Sequence, residues 1–484
     1  MERRQGAGPG GPNTLGTEPV GQLLLRYAIP TIISTLIGSL YNIVDQIFIG
    51  HRVGYLGNAA TTVAYPLTIL CGALFILASN GSGIQFNLRN GKKDTEGAMR
   101  YAGNGIMMLV ITGITLAILI GAFTPFFVYI CGATEEVTPY AVTYLRITAL
   151  GIPFLGLTQG GTLLVRSDGS PRYTMVCSLS GVAVNFVLDY LFLFPLGMGI
   201  AGAALATIFG QILSAALVIR YFFRFRTGRF RGADLRFTSE RLRDIVSTGA
   251  AASLNQVAML LMNLVLNNSL RYYGSLSVYG GSEALAAAGV VTKINFLFYA
   301  TIVGCSIGGA PIIGFNYGAK QYDRVRKTYF LILRYAIVIG ILETACFWLI
   351  PGPILSLFGN GASGYEAFAL QYMHKFMLFV VLAGIPPISM NVMSGIGRAK
   401  KGIVISMSKQ LTLVLLLLIL PRLFGIDGIL WSGPAADILA ALCSLFVLRG
   451  EFRKMGEGGV EQQGEHESSR EMPEAPESRQ PRPS

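Results

Sequence analysis

LLLRYAIPTIISTLIGSLYNIVDQIFIG, residues 23–50, is the stretch that decides the fold class. About 20 mostly apolar residues, rising 1.5 Å each, cross the hydrocarbon core of a bilayer, so this stretch is long enough to span it. Pro30 lacks a backbone donor and predicts a helix bend, and Asp45 places a carboxyl group in an apolar run. A membrane-embedded acid normally faces a protein interior or a water-filled cavity. The alternative is that Asp45 lies near the helix end and is hydrated there.

The composition indicates a polytopic membrane protein. Of the 484 residues, 52% are hydrophobic and 13% are charged, whereas soluble domains carry about 25% charged residues. The net charge of +12 does not indicate a nucleic-acid partner, because the basic residues lie in short loops between apolar spans. The six cysteines are scattered without CxxC spacing, so neither a disulfide framework nor a metal centre is expected. No cofactor is expected.

Twelve apolar segments predict an all-α membrane protein with twelve transmembrane helices. The segments are 23–49, 59–83, 101–123, 140–163, 173–194, 200–222, 245–270, 284–313, 328–350, 366–396, 402–421 and 428–448. They divide the chain into a disordered N-terminal segment, an N-lobe, a basic cytoplasmic linker, a C-lobe and a disordered tail, with bounds 1–22, 23–222, 223–244, 245–450 and 451–484. Residues 1–20 are polar and Gly-rich, so no cleavable signal peptide is expected.

The loop charges predict the orientation. The loops after spans 2, 4, 6, 8 and 10, counted together with Arg220 at the end of span 6, contain 21 Lys and Arg residues, and the loops after odd-numbered spans contain 3. Because cytoplasmic loops are enriched in basic residues, both termini and the even-numbered loops are expected in the cytoplasm.

The two halves of the sequence form an internal repeat. Residues 81–100 align with 308–327 at an offset of 227, and PLGMGIAG (195–202) aligns with PRLFGIDG (421–428) at an offset of 226. SDGSPR (167–172) resembles GIGRAK (395–400) at an offset of 228. With six spans in each unit, the lobes are parallel repeats, an arrangement that commonly encloses a central site and gives alternating access.

Four polar residues in the first lobe predict a cation or proton site. Asn185 and Asp189 lie four residues apart and share a helix face, Thr207 lies in a small-residue run of span 6, and Asp45 adds a second carboxyl group. Such hard oxygen donors hold Na⁺ or exchange a proton. The alternative is that Asn185 and Asp189 form only an interhelical hydrogen-bonded pair.

The second lobe has no equivalent acid pair. Span 7 contains neutral polar residues, and Lys293, Glu343, Lys409 and Asp437 are further intramembrane ionisable residues without an assigned role. Candidates for lining a substrate cavity are Tyr41, Asn42, Asn255, Gln256, Met262 and Lys293. For the aromatic and Met residues, simple packing is the alternative.

LRYAIPTIISTLIGSLYNIVDQIFIG, VGYLGNAA and NFVLDYLFLFPLGMGIAGAALATIFGQ resemble the multidrug and toxic compound extrusion (MATE) family, specifically its MepA-like branch with kinship to DinF-like members. The resemblance covers about residues 20–450. It implies a first-lobe cation site at Asp45, Asn185, Asp189 and Thr207, with Pro30 as the bending proline of span 1. The second-lobe acids of the NorM-like branch have no match, since span 7 contains no Asp or Glu between Ile245 and Leu270.

The resemblance implies a monomeric exporter of amphipathic, often cationic drugs in the bacterial cytoplasmic membrane, working by antiport with H⁺ or Na⁺. The alternative is a flippase of the same superfamily for a lipid-linked sugar or peptidoglycan precursor, but such proteins usually carry several cavity arginines. An enzyme is not expected, because the three histidines are far apart and form no HExxH motif.

Overall fold

The computed structural model describes residues 14–131, 133, 135–356 and 363–470; the side chains of Ser39, Tyr41, Asn42, Ile43, Tyr55, Ser282, Ser363 and 456–470 lie outside this description. Within it the chain is helical. Eleven helices are long and apolar enough to cross a membrane, and a bent pair makes the twelfth. The predicted all-α architecture is confirmed.

The twelve helices follow the predicted spans in order. They are α1 Val20–Arg52, α2 Tyr55–Gly91, α3 Thr95–Ala122, α4 Thr138–Ser167, α5 Pro171–Leu193, α6 Gly199–Phe222, α7 Ser239–Ser275, α8 Gly281–Gly318, α9 Tyr322–Leu349, α10 Gly364–Gly395, α11 Ala399–Phe424 and α12 Ile426–Arg470. Short helices Thr14–Thr17, Thr124–Ile130 and Pro351–Ser356 lie between or before them.

Two of these helices are irregular, and they occupy equivalent places in the two lobes. α4 contains a π-helical turn at Leu157–Gly161, and α10 contains one at Tyr372–Phe376. After its π-turn, α10 breaks between Phe376 and Val380 and bends by 62°. π-Turns inside α-helices are frequent at functional sites.

The terminal boundaries differ from the sequence prediction. Residues 14–22, predicted to be disordered, contain a short helix and the start of α1, and Leu15 is 2% exposed. Arg324 of α9 donates to the carbonyl oxygen atoms of Leu15 and Glu18 at 3.0 and 2.7 Å. At the other end α12 continues to Arg470, and the buried carboxylate of Glu451 pairs with Lys401. Backbone hydrogen bonding and an ion pair therefore order segments that their polar composition placed outside the fold.

The linker between the lobes is shorter than predicted, because α7 already begins at Ser239. The start of the linker is held by Asp168, a buried residue that directly follows α4. The Asp168 carboxylate accepts hydrogen bonds from the backbone N–H groups of Arg226 and Thr227 at 2.6 and 2.9 Å, and from the Tyr221 hydroxyl at 2.9 Å. Burial raises the pKa of Asp168, and these hydrogen bonds offset part of that rise.

The backbone supports the internal repeat. Positive φ angles occur in four pairs at the same point of each lobe, at offsets of 226–228: Gly54 and Gly280, Lys93 and Lys320, Gly169 and Gly397, Gly199 and Gly425. The lysine pair is notable, since a left-handed conformation is uncommon for a residue with a Cβ atom. Two copies of one backbone design explain this match better than independent turns do.

The lobes meet through α1 with α8 and α2 with α7, which is the pairing that a two-fold repeat generates. A Cβ atom on Gly308 would lie 2.7 Å from the Ala28 Cα atom, and one on Gly81 would lie 2.0 Å from the Ile245 carbonyl oxygen. Both contacts lie in the half of the molecule that contains the starts of α1 and α7 and the ends of α2 and α8. Here the glycines let the helix backbones touch, which closes this face between the lobes.

Candidate functional site

The predicted first-lobe site is assembled where α1 packs against α5. Asp45 from α1 is 8% exposed and Asp189 from α5 is 1% exposed. Their carboxyl groups lie close enough to interact directly with each other. The structure thus brings together two acids that are 144 residues apart in the chain, and it places Asp45 in the protein interior.

Asn185 is oriented by the same helix as Asp189. Because the two residues lie one turn apart on α5, the Asn185 Nδ2 atom donates to the Asp189 Oδ2 atom at 3.1 Å. The Oδ1 atoms of Asp45 and Asp189 are buried and accept no hydrogen bond from an N–H or O–H donor among the described residues. Buried polar atoms are normally partnered, so these two oxygens are the ones available to a proton or a cation.

Thr207 lies at the edge of this group rather than in it. Its hydroxyl donates to the Ala203 carbonyl oxygen of α6 at 3.0 Å. It also interacts with the hydroxyl group of Tyr144 from α4, which is within electrostatic range of both carboxyl groups. Tyr144 is therefore a site residue that the sequence prediction missed. A tyrosine in an apolar span gives no distinguishing signal, since its ring packs like any other aromatic ring.

Pro30 lies fifteen residues before Asp45, inside an α1 that is continuous from Val20 to Arg52. Three hydroxyl groups around it bond to backbone carbonyl oxygens: Thr31 to Tyr27, Ser34 to Pro30, and Thr35 to Thr31, each at 2.8 Å. Such bonds to the preceding turn often bend helices, and a proline removes one backbone hydrogen bond. A role as hinge stays a prediction.

The repeat shows what replaces these acids in the second lobe. In the first lobe, Ala28 and Ile32 of α1 contact α8. In the second lobe, the equivalent contacts to α2 are made by Ile245 and Gly249 of α7, which lie 217 residues later in the chain. The same offset places Met262 at the position equivalent to Asp45. The buried positions of α5 match buried positions of α11 that lie 228 residues later in the chain. At this offset, Leu413 is equivalent to Asn185 and Leu417 is equivalent to Asp189. The second lobe therefore has an apolar contact where the first has its acids.

The second lobe instead holds a separate charged group. The Lys409 Nζ atom of α11 pairs with the Asp437 Oδ1 atom of α12 at 2.7 Å. The Asn295 Nδ2 atom of α8 donates to the Glu343 Oε1 atom of α9 at 2.8 Å, and Glu343 is within electrostatic range of Lys409. In the internal repeat, Lys409 is equivalent to Gly181 of the first lobe. The backbone of Gly181 contacts the backbone of Gly210 there. An ion pair has thus replaced a close helix contact.

The candidate cavity residues fall into separate environments. Asn255 accepts a hydrogen bond from the Gln410 Nε2 atom at 2.8 Å inside the second lobe, and Met262 packs against an apolar core there. Lys293 is exposed and lies three turns before Gly304, on the α8 face that meets α1. Gln256 lies two turns after Gly249, on the α7 face that meets α2. The side chains of Tyr41 and Asn42 lie outside the description.

The described residues contain no group of three or more His, Cys, Asp or Glu side chains that would hold a metal ion. What the first-lobe site offers is two carboxyl groups, an amide and two hydroxyl groups. This donor set suits a proton or an oxygen-coordinated monovalent cation. No nucleophile and base stand together in it.

Comparison with known proteins agrees with this architecture. The MatE family model matches residues 30–191 and 252–419, one segment in each lobe. The chain is 25% identical to the multidrug export protein MepA of Staphylococcus haemolyticus over 431 residues, which is 88% of this chain and 92% of that protein. It is 23% identical to MepA of Staphylococcus aureus (strain NCTC 8325), over 89% of this chain and 94% of that protein.

Solved structures show the same fold. An outward-facing multidrug resistance MATE family transporter of the MOP superfamily superposes with a TM-score of 0.85 at 22% identity, covering 92% of this chain and 98% of that one. MATE in complex with MaL6 gives the same score, covering 92% of this chain and 99% of that one. Since the family model matches more than half of the sequence and both lobes, the chain belongs to the MatE family.

Proposed function

We propose that this protein exports amphipathic, often cationic compounds across the bacterial cytoplasmic membrane by antiport with H⁺ or Na⁺. The observation that carries the proposal is the buried Asp45–Asp189 pair, in which each carboxyl group keeps one oxygen without a donor. Two carboxylates this close repel one another unless a proton or a cation lies between them. Binding of a cation would therefore stabilise the site, and loss of the cation would favour a rearrangement that separates the two carboxylates.

Binding at this site acts on α1, because α1 is the helix that connects the ion site with the lobe interface. Asp45 lies in its second half, and Ala28 and Ile32 in its first half touch Gly308 and Gly304 of α8. Pro30 lies between Ala28 and Ile32 in the chain. A cation that stabilises the α1–α5 contact in one state more than in the other would shift the balance of states by that difference in affinity.

The closed face between the lobes supports one direction for the transport cycle. The lobes touch in the half that contains the starts of α1 and α7, which the positive-inside rule assigns to the cytoplasm. This state would accept the coupling ion from outside and release substrate to the outside. The reset carrier would then open to the cytoplasm.

Substrate would occupy the space between the lobes, where Lys293 and Gln256 lie on the facing helices. A cationic substrate would also compete with the coupling ion for the first-lobe carboxylates. The protein would work as a monomer, with both termini in the cytoplasm. The curated relatives carry the printed name of multidrug export proteins, which supports drug export and does not favour the flippase alternative.

Efflux of ethidium from proteoliposomes tests the proposal. The wild type is compared with Asp45→Asn, Asp189→Asn and the control Asp427→Asn, which removes an acid that is 58% exposed and pairs with Lys375. An imposed pH gradient or Na⁺ gradient should drive efflux in the wild type and the control but not in the two site variants. Efflux that continues unchanged in both site variants would refute the assignment.

A further inference from the structure

The start of α9 carries basic residues on one stripe of the helix. Lys327, Phe330, Leu331 and Arg334 follow one another at helical spacing, so they line one face. Lys327 and Arg334 are two turns apart, about 10 Å along the axis. Both side chains are exposed.

This stripe continues into a surface that faces lipid. Phe330, Val338 and Ile341 lie on the same side of α9 and are 57%, 49% and 54% exposed, and α9 is a membrane span. Arg334 lies about 18 Å from the first residue of the helix. None of the salt bridges within the described residues involves Arg334 or Lys327. A charge on a lipid-facing surface requires an anionic partner or access to the interface.

A cavity of about 550 Å³ lies over these residues. Its lining contains three basic side chains (Arg326, Lys327, Arg334) against one acid (Asp323), together with three apolar side chains (Val20, Phe330, Leu331). Arg326 is already engaged with the Phe452 carbonyl oxygen, whereas Lys327 and Arg334 form no ion pair with any side chain that the structure describes. The cavity is thus basic at its rim and apolar along its wall.

We propose that this cavity binds an anionic phospholipid of the leaflet on the side where α1 and α9 begin. The phosphate group would lie between Lys327 and Arg334, since the Arg334 side chain points back toward the helix start. An acyl chain would cover Phe330 and the exposed apolar surface beyond it. By the positive-inside rule this is the cytoplasmic leaflet, whose anionic lipids attract juxtamembrane Lys and Arg residues.

The position of the cavity gives the lipid a structural consequence. Val20 is the first residue of α1 in the N-lobe, whereas the remaining lining residues belong to α9 in the C-lobe. The bound lipid would therefore contact both lobes at the closed face and would stabilise this state. The inference is independent of the coupling site and holds for any transported substrate.

Thermal unfolding of the purified, delipidated full-length protein tests the proposal. Dioleoylphosphatidylglycerol is titrated against dioleoylphosphatidylcholine and against glycerol phosphate, which has the anionic headgroup without acyl chains. The variant is Lys327→Gln/Arg334→Gln. The matched control Arg229→Gln/Arg243→Gln removes two exposed basic residues on the same membrane face, outside the cavity.

Phosphatidylglycerol should stabilise the wild type and the control at lower concentrations than phosphatidylcholine does, and glycerol phosphate should have no effect. The cavity variant should bind phosphatidylglycerol on the order of tenfold more weakly. Equal effects of the two lipids in the wild type, an undiminished preference in the cavity variant, or stabilisation by glycerol phosphate would each overturn the proposal. If the double variant does not fold, Lys327→Gln is measured by counting bound lipids with native mass spectrometry, and an unchanged count overturns it.

Discussion

At the scale of single residues, the proposed ion coupling depends on which carboxyl oxygen atoms have hydrogen-bond partners. Asp45 and Asp189 are recognisable in the sequence, because a carboxyl group inside an apolar span is energetically costly and usually functional. The sequence predicted both acids in one site, but the direct approach of their carboxyl groups depends on how α1 packs against α5. Tyr144 was missed for a related reason: its hydroxyl becomes meaningful only beside Thr207 and the two acids.

Asn185 offers a test of the site that leaves both acids in place. Asn185→Ala removes the donor to the Asp189 Oδ2 atom, and a hydrogen bond to a charged group contributes about 1.5–3 kcal/mol. Gradient-driven ethidium efflux should therefore fall by roughly tenfold or more. The control is Asn268→Ala, whose amide donates only to a carbonyl of its own helix. Equal efflux rates in the two variants would argue against the role of Asn185.

The left-handed lysines give a second test at this scale. Lys93 and Lys320 adopt φ values of 63° and 59°, a conformation that β-branched residues rarely tolerate. Lys93→Val and Lys320→Val should each lower the free energy of unfolding by about 1 kcal/mol or more, whereas the Gly variants should not. Thermal unfolding in detergent measures the difference. Similar stabilities for the Val and Gly variants would contradict the backbone assignment.

At the scale of helices, the second lobe replaces a close helix contact with an ion pair. Lys409 faces Asp437, with Glu343 and Asn295 nearby. The sequence marked Lys409, Asp437 and Glu343 as intramembrane and ionisable but could not pair them, because they lie on three different helices. Their pairing explains how two charges are tolerated inside this lobe.

A double-mutant cycle tests that explanation. Lys409→Met leaves the buried Asp437 carboxylate without its partner, and breaking a buried pair in this way costs about 3–5 kcal/mol. Lys409→Met/Asp437→Leu removes both charges and should recover most of the loss. Thermal unfolding of the two single variants and the double variant gives the coupling. Additive losses would show that the two side chains do not stabilise each other.

At the scale of the whole molecule, the sequence predicted the twelve spans and the parallel repeat, since both are patterns of hydropathy and glycine along the chain. It did not predict the order at the ends. Residues 14–22 are held by hydrogen bonds from Arg324, and the end of α12 is held by the Lys401–Glu451 pair. These are tertiary contacts, which cannot be predicted from the polar composition of the two segments. The bend of α10 was likewise not predicted, since residues 366–396 were interpreted as one unbroken span.

The closed face between the lobes depends on glycine, which gives a prediction about conformation. Gly308→Ala would place a Cβ atom 2.7 Å from the Ala28 Cα atom, whereas Gly289→Ala on the same helix meets nothing within 4 Å. Overpacking of this kind typically costs about 1–3 kcal/mol, so Gly308→Ala should separate the lobes at this face.

Spin labels at the exposed, repeat-related positions Arg172 and Lys400 report the separation, in a background without the native cysteines. Distances between them should lengthen in Gly308→Ala and stay unchanged in Gly289→Ala. A distance that does not change in the folded Gly308→Ala variant would mean that this contact does not hold the face closed.

The central claim is that a cation moves through the Asp45–Asp189 site in exchange for substrate, and ion movement tests it most directly. Proteoliposomes without an imposed ion gradient receive a gradient of ethidium, and internal pH and ²²Na⁺ uptake are followed. In the wild type one of the two ions should move opposite to ethidium, and this movement should be lost in Asp189→Asn. If neither ion moves when ethidium does, or if the ion moves equally in Asp189→Asn, the claim is contradicted.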